Sequence, residues 1–157
     1  MQESVIRSPK ILARALRAAL GAWLLLALVG CGDSPERDLL EQSRDLWHSQ
    51  APTGYRYDFT WNCFCEPGFT GPVVVHVQAG AVTSVTYQAD GAAADPTDYR
   101  TIEGLFELIG DAIDRDAHEV RVTYDATRGY PTSAYLDYEE FAVDEEMGFS
   151  ASNLTAE

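Results

Sequence analysis

From Tyr55 to Cys65 every second residue is aromatic or cysteine (Tyr55, Tyr57, Phe59, Trp61, Cys63, Cys65), while Arg56, Asp58, Thr60 and Asn62 between them are polar. Side chains alternate sides along a strand, so this segment sets a row of large apolar groups against a core and a polar row toward water. A chain with such a strand must build an antiparallel sheet with one buried face. Glu66-Pro67-Gly68 supplies a turn after it. Val73 to Ala79 and Val82 to Tyr87, on either side of Gly80, read as a β-hairpin. The parsimonious result is three meandering strands.

Two helices frame this meander. Ser34-Pro35 has the form of a helix start, serine as cap and proline at the first helical position. From Pro35 to Ser49, Leu39, Leu40, Leu46 and Trp47 recur at helical spacing, with Ser43 as the small member of the stripe. Ala51-Pro52-Thr53-Gly54 ends the helix. After a loop from Ala89 to Arg100, Thr101 can cap a second helix whose stripe is Ile102, Leu105, Phe106, Ile109 and Ile113. Gly104 and Gly110 weaken it by about 1 kcal/mol each relative to alanine if exposed, so tertiary packing must hold it. Alternation then returns in Val120, Val122 and Tyr124, a turn at Ala126-Thr127-Arg128-Gly129 follows, and Ala134, Leu136 and Tyr138 share a face of the returning strand. Around Phe149 the signal for a last short strand is faint. The order α-β-β-β-α-β-β with hairpin-length connections predicts an α+β fold. It would be one domain over residues 35–157, an antiparallel sheet with both helices on one face.

Upstream of that domain lies a different pattern. Arg7, Lys10, Arg14 and Arg17 precede an uncharged stretch from Ala18 to Gly30, the basic and apolar regions of a secretory signal. The apolar run is 13 residues long, against the roughly 20 needed to span a bilayer. It ends in Leu28-Val29-Gly30-Cys31, a lipobox, in which Cys31 would take a diacylglyceryl thioether and further acyl chains such as palmitate. Residues 1–30 are therefore expected to be a lipoprotein signal peptide, and residues 31–34 the lipidated cysteine with a short tether. Gly32, where aspartate would retain a lipoprotein at the inner membrane, predicts an outer-membrane anchor facing the periplasm or surface. In an organism with one membrane the place would be the outer face of the plasma membrane.

Charge agrees with an acyl anchor. The sequence carries 11 basic and 25 acidic residues; removing four basic residues and Glu3 with the signal leaves 7 and 24, a net −17 with no lysine. Such a field repels nucleic acid and anionic headgroups, so nucleic acid is excluded as a partner. Membrane contact must then come through acyl chains on Cys31. One chain anchors only marginally, and several hold stably.

The lipobox, Cys63-Phe64-Cys65, Val82 after the Gly80 turn, Thr101-Ile102 with Leu105-Phe106, and Tyr124-Asp125 with Gly129-Tyr130-Pro131 and Asp137 follow one another in a recognisable order. In that order they resemble a family of uncharacterised bacterial lipoprotein domains, along nearly the whole chain after the signal. The resemblance implies the fold and an envelope location. It implies no catalytic or binding residues, since the family is a domain of unknown function.

With Cys31 consumed by lipidation, Cys63 and Cys65 remain as a pair in an oxidising compartment, which favours a disulfide. Residues two apart in a regular strand are about 6.6 Å apart, at the upper end of the ~4.4–6.8 Å range for a bridge, so a local bend is required. A thiol-redox role is the alternative, disfavoured because no basic residue adjoins the pair to lower a thiol pKa. For a metal, Cys63 and Cys65 could be joined by His48, His76 or His118, although none lies at finger spacing. Asp111, Asp114 and Asp116, or Asp144, Glu145 and Glu146, would suit calcium better, although neither group fits a calcium-loop pattern. A solvated acidic surface explains them as well. Hydrolase, metalloprotease and phosphate-loop motifs are absent from the sequence. Asp125, Tyr130, Asp137 and Tyr138 could converge near one hairpin, and turn chemistry explains them equally. No cofactor is implied. The expected function is a non-catalytic binding or structural module with an envelope protein as partner, taken up on the exposed sheet face or a free edge strand. The alternatives are a small thiol-redox or hydrolytic enzyme, or a calcium-binding module.

Overall fold

A computed structural model describes residues 34–65, 70–142 and 144–157. Helix α1 (Pro35–His48) leads to strands β1 (Gly54–Cys63), β2 (Val73–Gln78) and β3 (Ala81–Tyr87). A 3-10 turn (Pro96–Asp98) and helix α2 (Ile102–Asp114) follow, then β4 (Glu119–Tyr124), β5 (Pro131–Asp137) and β6 (Met147–Ala156). The fold is α+β, two helices and a six-stranded antiparallel sheet in the order β3-β2-β1-β6-β5-β4. The element order repeats α-β-β-β twice. Among the described residues no helix is long and apolar enough to cross a membrane.

Both helix starts form as their sequences dictate. Ser34 Oγ accepts a hydrogen bond from Arg37 N at 3.2 Å with Pro35 next in line, and Thr101 Oγ1 accepts from Gly104 N at 3.0 Å. Each cap satisfies an amide that the helix leaves without an internal acceptor. Gly110 does not merely weaken α2. It packs next to Leu40, where a Cβ would stand in ordinary contact 3.7 Å from Leu40 Cδ2, and its carbonyl accepts from Arg37 at 3.4 Å.

The aromatic row of β1 lies at the centre of the core. Tyr55, Tyr57, Phe59 and Trp61 are all buried, beside Val73, Val75 and Val77 of β2 and Phe149 and Ala151 of β6. From the helices, Leu40, Ser43 and Trp47 of α1 and Ile102, Leu105, Phe106 and Ile109 of α2 complete the interior. The polar ends of the row are used as well. Tyr57 Oη donates to Arg100 O, Trp61 Nε1 donates to Asp98 O at 3.2 Å, and Tyr55 Oη accepts from Ile102 N at 2.9 Å. Three side chains of one strand thereby fix the segment that launches α2.

Two expectations are corrected. The strand around Phe149 is not short: β6 has ten residues, and it lies between β1 and β5. Its alternation is broken by a bulge opposite Arg56–Asp58, where Asn153 has φ +55, so Phe149 and Ala151 point inward at odd positions and Leu154 at an even one. In α1 the stripe is narrower than expected. Leu39 and Leu46 are 47% and 37% exposed, because burial follows Leu40, Ser43 and Trp47 at spacings of three and four.

Candidate functional site

Where α1 ends and α2 begins, charged and aromatic groups meet around an open cavity of about 520 Å³, bounded by Trp47, His48, Tyr55, Thr101 and Glu103. Glu103, in the first turn of α2, accepts from the Arg44 guanidinium and lies 2.8 Å from His48 Nε2. Partial burial works against a charge on Glu103. Hydrogen bonds from Arg44 and His48 outweigh it and hold the carboxyl below its ordinary range. The helix N-terminus favours the same charge. Tyr55, mostly buried beside this cluster, has its phenol pushed up to about 12 by desolvation.

No nucleophile is poised here, since Thr101 Oγ1 is occupied in capping α2 and Glu103 is held as an acceptor. What the cluster does is clamp the two helices. Glu103→Gln is expected to lower stability by about 0.5–1 kcal/mol at neutral pH, the scale of a half-exposed ion pair. The pH dependence follows from the lowered pKa. The contribution is fully present above the ordinary value of 4.5 and is lost as pH falls through the lower folded value. Urea unfolding from about pH 7 to pH 3 should show a shallower acid decline for the variant below about pH 4.5. Parallel acid limbs would remove Glu103 from that role.

Cys63 and Cys65 are joined by a disulfide with the Cα atoms 5.2 Å apart. The strand ends at Cys63, so Cys65 lies outside the extended run and the chain contracts there. Phe64, between them, is 80% exposed. Cys31 and its lipobox lie outside the described residues, as does the Glu66-Pro67-Gly68 turn.

The three histidines are dispersed. His48 belongs to the helix cluster, His76 faces Glu157 on the sheet at 3.1 Å, and His118 precedes β4 near Ser34. Among the described residues no three His, Cys, Asp or Glu side chains are grouped to hold a metal. Of the first acidic group, Asp114 is engaged by Arg37 and Asp111 by Arg115. In the second, Glu145 accepts from Glu139 N.

Asp125, Tyr130, Asp137 and Tyr138 do not converge. Asp125 Oδ1 closes the β4–β5 turn by accepting from Thr127 N and Arg128 N at 2.9 and 2.7 Å, and Tyr130 packs on Trp47. Asp137 and Tyr138 stand at the other end of β5, about 20 Å along the strand. There Tyr138 lies under Arg115, 4.5 Å from its guanidinium carbon. Sequence reasoning missed a groove between α1, α2 and the outer side of β4, lined by Leu39, Ile109, Ile113, Val120, Val122 and Tyr124. Leu39, an apolar residue flanking the buried helical stripe, was the available signal.

No curated protein and no solved structure matches the chain. The model of a family of unknown function, DUF6174, matches residues 39–156, from the first turns of α1 to the last residue of β6. That match takes in every strand of the sheet, and the chain belongs to this family of unknown function.

Proposed function

We propose that the chain is a lipid-anchored lipoprotein of the bacterial cell envelope whose domain acts without catalysis, by binding or spacing another envelope component. The observation that carries this reading is Leu28-Val29-Gly30-Cys31 behind a basic flank and a short apolar run. Three further facts support it. The N-cap of α1, Ser34, is the third residue after Cys31, which makes the tether very short. A Cys63–Cys65 disulfide accords with an oxidising compartment. The cavity between the helix ends offers an ion clamp and no nucleophile. With Gly32 after the cysteine, the outer membrane is the proposed destination.

Metabolic labelling with a palmitate analogue tests the anchor. The wild-type chain is expected to carry label and to partition into detergent, while Cys31→Ser loses the label and retains residues 1–30. Label surviving in Cys31→Ser, or none in the wild type, would sink the reading.

A further inference from the structure

The two edges of the sheet are treated differently. Beside β3 the chain folds back: Thr86 bridges Ala93, Tyr87 N donates to Ala92 O at 2.8 Å, and Ala94 N donates to Val85 O at 2.9 Å. Over residues 85–87 that edge is covered by its own loop. On the other side β4 is the terminal strand, and no described strand pairs with its outer edge. An uncovered edge presents a row of backbone donors and acceptors to any extended chain.

Beneath this edge the helices leave a gap. Val120, Val122 and Tyr124, the inward residues of β4, are only partly buried, and with Leu39, Ile109 and Ile113 they line an apolar groove of about 250 Å³. A second hollow of about 240 Å³ shares Ile113 and Val120 with it and extends to His118 and Ser34. Together they run the length of β4. A strand added to that edge would send every second side chain into the groove and the others to the open sheet face.

Charge selects the occupant. Glu36 rims both hollows and Asp116 lines the second, while Arg121, which also lines the first, is paired with Glu119. Of the seven arginines in residues 34–157, five are already engaged by the chain's own carboxylates, including Arg37 with Asp114 and Arg121 with Glu119 at 3.3 Å. A second copy would bring the same acidic excess to the edge. A basic segment would be drawn to it.

We propose that β4 and the groove beneath it form a strand-addition site for an extended, basic segment with alternate apolar residues, carried by another envelope protein. The proposal rests on the binding-module reading and gives it a surface and a partner chemistry.

The test uses the full chain in nonionic detergent and two blocked heptapeptides, one alternating lysine with valine, the other glutamate with valine. The lysine peptide is expected to bind, to weaken as salt is raised, and to slow hydrogen exchange of amides within Glu119–Tyr124 and not within β3. Leu39→Lys, at a half-exposed position that folding tolerates, should weaken binding at least about tenfold. Ala81→Lys, on the opposite edge strand, should leave it unchanged. No binding of the lysine peptide, equal binding of the glutamate peptide, indifference to Leu39→Lys, or protection elsewhere on the sheet would each overturn the proposal. So would protection of the same amides by self-association alone, which would make a second copy the occupant. Lipidation at Cys31 is read separately by the palmitate label, so failure of the edge and failure of the anchor are distinguishable.

Discussion

Phe59→Ala should destabilise the protein by about 3–5 kcal/mol. Phe59 is 1% exposed and its ring meets four others: Trp61 edge-on at 4.8 Å, Phe149 stacked at 5.7 Å, and Tyr57 and Tyr99 edge-on at 6.0 Å. Two effects add. The transfer free energy of a fully buried phenyl group is lost, and a cavity opens among rings that cannot close in without leaving their edge-to-face geometry. Phe149 also comes from β6, so the same truncation loosens the seam between the sheet's two halves. A domain of this size has about 5–15 kcal/mol in hand, so the variant should melt on the order of 10–20 °C lower. Phe59→Leu keeps most of the volume and should cost well under half as much. Thermal and urea unfolding of both variants checks this. A loss below about 1 kcal/mol for Phe59→Ala would contradict the packing described.

The second large effect is expected at Gly129, and a control for it is built into the fold. Gly129 has φ +80, and a Cβ there would stand 2.9 Å from Trp47 N, 3.0 Å from Leu46 Cβ and nearer still to the Ser43 carbonyl oxygen. These are helix backbone and a near-backbone atom, so α1 itself would have to move. Gly80 has nearly the same backbone, φ +79, and nothing within 4 Å of its Cβ position. Gly80→Ala therefore reports the left-handed penalty alone, about 1 kcal/mol. Gly129→Ala adds overpacking, for a total of about 2–4 kcal/mol. The difference between the two isolates the approach of the β4–β5 turn to α1. Equal losses would mean that the turn does not hold the helix.

What could be read in the sequence was whatever a single period describes. The aromatic row of β1 and the stripe Ile102, Leu105, Phe106, Ile109 each face one core without interruption, and both elements lie within two or three residues of the positions that spacing predicts. β6 was faint for the opposite reason. A bulge shifts its phase midway, and Gly148 must be small because a Cβ would meet the backbone of Ala134 and Tyr135, so packing removed the apolar residues that pattern-reading needs. Topology was hidden with it, because only β6 tells which strands are inner. Asp137 and Tyr138 look close to Asp125 and Tyr130 in the sequence, but the whole of β5 lies between them. The ion cluster at Glu103 depends on where two helices meet, since Arg44 and His48 come from one and Glu103 from the other, and no spacing within either helix shows that meeting.

With β6 in the middle of the sheet, its six strands join only once residues 147–156 have been made. Until Met147–Ala156 is available, β1 and β5 each have an inner edge with no neighbour, Phe59 and Trp61 lack the Phe149 ring, and the three strands β1–β3 stand apart from the β4–β5 pair. Contacts between β1 and β6 join residues some 90 positions apart, as Phe59 and Ala151 do, and such distant pairings form slowly. On the proposed export route the chain would thus stay pliable through the passage. Its final ten-residue strand would be the latch that closes only on the far side.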